Sequence, residues 1–210
     1  MRSIQTVPCA VFLMLACTGA STIPSVVMPE TLEVEIQHKT LEDHTRPLLD
    51  LIAKHEGNYN SVNRGHAGDT PGGIQSLTGS SFDEFTVGEV IDMQCSYLGA
   101  VGRYQFIRTT LRFAVENSDV EYSDKFGPST QDKLAVALIF HKRPEVGEYL
   151  QGKHNDLDLA IYEMAREWAS IEYKDGRGYY DGLSGNNASI SRSELSAVLQ
   201  DVRHSWQANG

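Results

Sequence analysis

The stretch Thr45-Arg-Pro-Leu-Leu-Asp-Leu-Ile-Ala-Lys-His-Glu56-Gly57 reads as a short helix: Thr45 suits an N-cap, Pro47 a first turn and Gly57 a C-terminal stop. Its apolar stripe runs Leu48, Leu49, Ile52, Ala53. Glu56 lies three residues after Ala53 and four after Ile52, so it continues that stripe with a carboxylate. An acid on a buried face, at a helix end that opens into a Gly- and Asn-rich loop, is disfavoured in its charged form. Such a group is suited to general acid work near neutral pH. The plain alternative is a frayed helix end that lets Glu56 swing into water.

Outward from that helix, residues 57–81 carry six glycines, Asn58, Asn60, Asn63 and Pro71, with turn signals at Asp69-Thr-Pro-Gly-Gly and Thr78-Gly-Ser. A small irregular β-hairpin subdomain fits this stretch better than a helix. Helical signals dominate the rest. Thr86-Val-Gly-Glu89 is a capping box, and Arg108 to Asn117 follows the Gly102 turn as a helix. Ser129 precedes a segment apolar on every side, Leu134 to Phe140, which places that helix centrally. Asp156 to Ile171 and a last helix behind Ser191-Arg-Ser-Glu194 complete an α+β, mostly helical fold.

The chain has 210 residues, the size of one domain with an added terminal segment. Residues 1–20 read as a secretory signal: Arg2, an apolar run from Val7 to Ala16, then small residues through Ala20. Met14-Leu-Ala-Cys17 also resembles a lipoprotein signal, although Met at its first position is less usual than Leu; that reading makes Cys17 the lipidated N-terminus. Residues 21–44 are a lead-in and the folded domain spans 45–210. The expected location is outside the cytoplasm, periplasmic or anchored at the outer membrane, with membrane contact only through the signal or lipid. A formal net charge of −10 argues against nucleic acid as a partner. Cys9 and Cys17 fall in the signal segment, so no disulfide framework exists, and Cys95 reads as a small buried thiol.

His55-Glu56 begins like a zinc-protease helix, but position 59 is Tyr59 where a second histidine is needed. No other ligand spacing occurs, so neither metal nor cofactor is expected. Ala100-Val-Gly-Arg-Tyr-Gln-Phe106 is a glycine-led turn. Beside a buried acid, Tyr104 would supply an aromatic wall and Gln105 an amide suited to sugar hydroxyls and N-acetyl groups.

Four segments, in order, resemble the lysozyme superfamily and most closely the lambda-type phage endolysins, which are lytic transglycosylases. They are Leu48 to Tyr59, Gly102 to Phe106 with Thr109-Thr110, Ser129 to Ala135, and Trp168-Ala-Ser170. The resemblance implies a lysozyme-like fold and peptidoglycan glycan strands as substrate. It implies Glu56 as catalytic acid/base, Tyr104 and Gln105 in the substrate cleft, and Trp168 packed behind it. Asn63-Arg-Gly and Pro71-Gly-Gly resemble exported muramidases linked to secretion systems, so a secretion-system or phage lysis partner is a further expectation. Hydrolytic lysozymes need a second carboxylate, for which Asp69 is the candidate; the same Asp also suits an ordinary turn. A non-catalytic wall-binding module is the reading from another class.

Overall fold

The computed structural model describes residues 40–182 and 187–209. The segment read as an export signal, the lead-in through residue 39, and Cys9 and Cys17 lie outside the described residues. Those described are mostly helical: α1 (Leu41–Glu56), α2 (Gly73–Thr78), α3 (Val87–Ser96), α4 (Arg108–Glu116), α5 (Pro128–Ala137), α6 (Pro144–Leu150), α7 (Leu157–Glu167) and α8 (Arg192–Asn209). Two short antiparallel pairs accompany them, β1 (Val62–Asn63) with β2 (Ala100–Val101) and β3 (Glu172–Lys174) with β4 (Arg177–Gly178). Among the described residues no helix is long and apolar enough to cross a membrane.

Helix α1 starts a turn earlier than its sequence suggests. Thr40, not Thr45, is the N-cap. Asp43 N–H donates to the Thr40 hydroxyl at 3.2 Å, and Thr40 N–H donates to the Asp43 carboxylate at 3.0 Å. Thr45 is buried inside the helix, its hydroxyl bonded to the Leu41 carbonyl at 2.7 Å. Pro47 therefore also sits inside, where it costs about 3 kcal/mol in a lost donor and a ring clash. Full burial of Leu48, Leu49 and Ile52, at roughly 1.5–3 kcal/mol each, outweighs that cost.

Helix α5 is the central element, with α1 and α4 packed against it. Gly127 caps it and Pro128 opens it, so Ser129 lies one position inside. From Leu134 on it is buried on all sides, and the polar Gln131 and Asp132 before it are buried too, whereas Pro128 and Ser129 are exposed. After Ala137 the helix widens through one π turn, Leu138–Lys142, where Arg143 N–H reaches back five residues to the Leu138 carbonyl at 2.9 Å.

The strand arrangement differs from a simple hairpin at 57–81. β1 pairs with the distant β2, Val62 opposite Val101, and the local return is a single bridge between Asn63 and Asp69. Gly73–Thr78 is helical where only loop was expected. The true hairpin is β3–β4, closed by Asp175 and Gly176, both at positive φ (51° and 76°), as a two-residue Asp-Gly turn requires. Cys95, expected to be buried, is exposed on α3. Its neighbours Ile91 and Leu98 take the inward positions instead.

Side chains of α5 fasten these parts together. The Asp132 carboxylate accepts from the hydroxyls of Tyr59 and Tyr104 and pairs with Arg46 at 2.6 Å. Gln131, fully buried, donates to the carbonyls of Tyr59 and Phe126 and accepts from Arg103 N–H at 2.9 Å. Gly102 has φ 75°, and a Cβ there would fall 2.4 Å from the Gln131 amide oxygen, so only glycine fits the turn. Removing a buried carboxylate strands its partners. Asp132→Ala is expected to lower the unfolding free energy by about 3–5 kcal/mol in urea titration; a loss below about 1 kcal/mol would show that packing alone holds these segments.

Candidate active site

Glu56 ends α1, half-buried, with its carboxyl facing a groove. Gly57 stops the helix, its N–H bonded to the Ala53 carbonyl at 3.0 Å. The Ser170 hydroxyl donates to Glu56 Oε1 at 2.6 Å. Ser170 is itself anchored, because its carbonyl accepts from Ser189 and Ile190 N–H at 2.7 and 2.8 Å. His55 joins the same strap, Nδ1 lying 2.9 Å from the Ser189 hydroxyl. Burial pushes the Glu56 carboxyl above the ordinary carboxylate range, and the hydroxyl and backbone amide of Ser170 pull partly the other way. The C-terminal end of α1 acts in the same direction as burial, since its carbonyls disfavour a negative charge.

The groove has two lobes of about 1030 and 520 Å³. Glu56, Asp69 and Gln105 line both lobes and so form the waist. The smaller lobe presents amides and hydroxyls from Asn58, Asn60, Ser61, Thr70 and Gln75. The larger presents Lys142, Arg143 and Arg166 with Glu167 on one wall, and Asn63 and His66 elsewhere. Among the described residues no group of three or more His, Cys, Asp or Glu is placed to hold a metal ion.

The residues singled out in the sequence fall in different places. Gln105 reaches the waist on a strained backbone (φ 48°), its Nε2 donating to the Gly102 carbonyl at 2.9 Å. Tyr104 does not stand in the groove as a wall. Its ring is 1% exposed, and its hydroxyl points inward to Asp132, so it forms part of the floor. Burial and the Asp132 bond push that phenol's pKa up, which keeps it neutral. Trp168 packs behind the groove, its indole N–H 3.3 Å from the Tyr104 carbonyl. Asp69 is exposed and accepts from the Asn63 side-chain amide at 2.8 Å.

Two further contributors have roles that the sequence does not reveal. Ser170 meets Glu56 across 114 positions. Gln94 holds the far side of the 102–106 turn, donating to the carbonyls of Gly99 and Phe106 at 2.7 and 2.9 Å.

A half-desolvated acid thus stands at the waist of a long polar groove, with amides on one side and cations on the other. The larger lobe alone reaches the upper size of a small-molecule pocket, about 1,000 Å³. The chain belongs to the endolysin family, whose model matches residues 46–189. It is thus a peptidoglycan-degrading protein of the phage-endolysin type. No curated protein and no solved structure matches it.

The raised Glu56 pKa has a linked stability effect. As pH rises through the carboxylate range the unfolded chain ionises first, which favours unfolding, and the penalty becomes constant above the folded-state pKa. Glu56→Gln, which keeps an acceptor for Ser170, is therefore expected to melt at the same or a higher temperature than the parent at neutral pH. The difference should vanish below the ordinary carboxylate range, as checked by calorimetry across pH. A variant less stable at neutral pH would mean that the carboxylate is a structural partner.

Proposed function

We propose that the chain cuts the β-1,4 bond between N-acetylmuramic acid and N-acetylglucosamine, with Glu56 as the single general acid/base. The observation that carries this reading is the placement of Glu56 at the waist, desolvated and held by Ser170 on one oxygen. In the first step Glu56 gives its proton to the glycosidic oxygen as the C1–O bond breaks, and positive charge develops at C1. The resulting carboxylate stabilises that charge. It then takes the proton from the 6-hydroxyl of the same muramic acid as that oxygen closes onto C1. The product is a 1,6-anhydro sugar, Glu56 is protonated again, and no water is consumed.

Lytic transglycosylase is favoured over hydrolysis by the state of Asp69. It is exposed, and its carboxylate is engaged within its own turn by the Asn63 side-chain amide. A hydrolytic muramidase would use Asp69 as the second carboxylate, as stabiliser, nucleophile or water activator. Its position beside Glu56 in both lobes is the observation on that side. The unpaired, partly buried acid also argues against a pure binding module, which gains nothing from such a group. Export and recruitment by a lysis or secretion-linked partner belong to the same proposal.

Mass spectrometry of the soluble products from purified sacculi tests the chemistry. The expected products are anhydro-muropeptides, formed at least about a hundredfold more slowly by Glu56→Gln and at a near-parental rate by Asp69→Asn. Reducible, hydrated products that disappear with Asp69→Asn would establish the muramidase instead. Ser170 sets the pH range: removing its hydrogen bond lets burial raise Glu56 further. Ser170→Ala is thus expected to move the alkaline limb of the kcat/KM profile to higher pH, and an unmoved limb would assign that limb to another group.

A further inference from the structure

Lys142, Arg143 and Arg166 converge on the larger lobe. They share two carboxylates, Glu163 and Glu167: Lys142 and Arg143 both pair with Glu167, and Arg143 and Arg166 both pair with Glu163. Three cations against two anions leave this wall with one positive charge in excess, in a chain whose net charge is −10. The cluster is built into the wall, with the Glu167 side chain 3% and the Arg143 side chain 13% exposed. Burying such a network is a poor route to stability, because desolvation offsets most of the pairing energy. Lys142 spends two N–H donors on Glu167 and Thr110, at 2.7 and 3.0 Å, and keeps a third; its side chain remains 27% exposed. Among the described residues, no charged side chain lines the smaller lobe beyond the Glu56 and Asp69 of the waist. The two sides of the candidate acid thus differ in charge.

We propose that this wall is a carboxylate-recognition site that reads the acidic peptide stem of the glycan strand on one side of the cleaved bond. Lys142 makes the direct contact, and Arg143 with the two glutamates fixes its position. The inference rests on peptidoglycan as the substrate. Sugar hydroxyls and N-acetyl groups are neutral and are served by the amides of the smaller lobe, whereas stem carboxylates are the strand's abundant anions. A charge-assisted hydrogen bond on a partly desolvated ammonium discriminates a carboxylate from its neutral amide. It also gives the strand a direction, because a stem seated on the cationic wall fixes which sugar lies over Glu56.

The test measures binding, so that it stands apart from bond cleavage. Protein carrying Glu56→Gln is co-sedimented with insoluble sacculi, either untreated or with their carboxylates converted to methylamides by carbodiimide coupling. Affinity for untreated sacculi is expected to be about tenfold higher, one good charge-assisted contact. Adding Lys142→Met should abolish the difference and Lys142→Arg should keep it, with melting curves confirming that each variant is folded. Arg166→Gln, at a more exposed member of the cluster, should reduce the difference. Equal binding of both sacculi, or a difference that survives Lys142→Met, overturns the proposal. Loss of Glu56-dependent cleavage in the parent protein, with stem discrimination intact, would instead overturn the catalytic reading alone.

Discussion

A carboxylate buried in the central helix carries the architecture. Asp132 on α5 receives two phenolic hydroxyls and a guanidinium, and these come from three places in the chain: α1, the loop after it, and the Gly102 turn. Buried charge is expensive, and here the expense is offset only when all the partners arrive together. The consequence is positional. Glu56 is the last residue of the helix that Arg46 tethers, and Gln105 belongs to the turn that Tyr104 tethers. Arg103 adds to the tie, pairing with Asp50 of α1 and donating to the Tyr59 hydroxyl. The groove's acid and its neighbouring amide are therefore set by one ionic knot centred on the buried Asp132 carboxylate, with the part-exposed Arg46 and Asp50 at its rim.

Much of this was legible in the sequence because it is periodic or local. The apolar stripe that ends in Glu56, the capping box at Thr86 and Glu89, and the all-apolar centre of α5 are patterns within a few residues. The Gly102 turn was visible as a turn, although not the reason for its glycine, which is Gln131 pressing against it. The start of α1 was misplaced because Pro47 resembles a first-turn residue, while the stronger signal, Thr40 with Asp43, lay in the segment taken as lead-in. Cys95 was assigned by its residue type, and its helix face proved to be the outer one. Ser170 and Gln131 stood in segments that carry the family resemblance, but their roles, like that of Gln94, stayed hidden for a common reason. Each acts by a single polar bond to a residue distant in sequence, and such a bond leaves no rhythm in the chain.

The electrostatics of the site are a balance between opposing influences. Burial alone would leave Glu56 strongly reluctant to ionise, and an acid that never releases its proton is as idle as one that never holds it. Ser170 moderates this by favouring the charged form. The strap from Ser189 and Ile190 fixes the Ser170 carbonyl, so the hydroxyl is presented by backbone that does not depend on the groove's contents. Set against this proton is the fixed charge of the cationic cluster in the larger lobe. Under the proposed reading, the acid's proton and the strand's orientation thus have separate structural sources.

The π turn at Leu138–Lys142 has a consequence for how such a groove can change over generations. Inserting one residue into a helix rotates everything after it by on the order of 100°. The widened turn brings Leu138, Lys142 and Arg143 to the groove together. A one-codon deletion there would swing the basic pair away from the wall while leaving every remaining amino acid unaltered. Homologues that match this chain residue for residue, yet are shorter by one at this bend, would then keep Arg166 against Glu163 and Glu167, a wall with one negative charge in excess. Lineages could gain or discard the cationic wall by a single length mutation, and the spacing between Ala137 and Pro144 is the place to look for it.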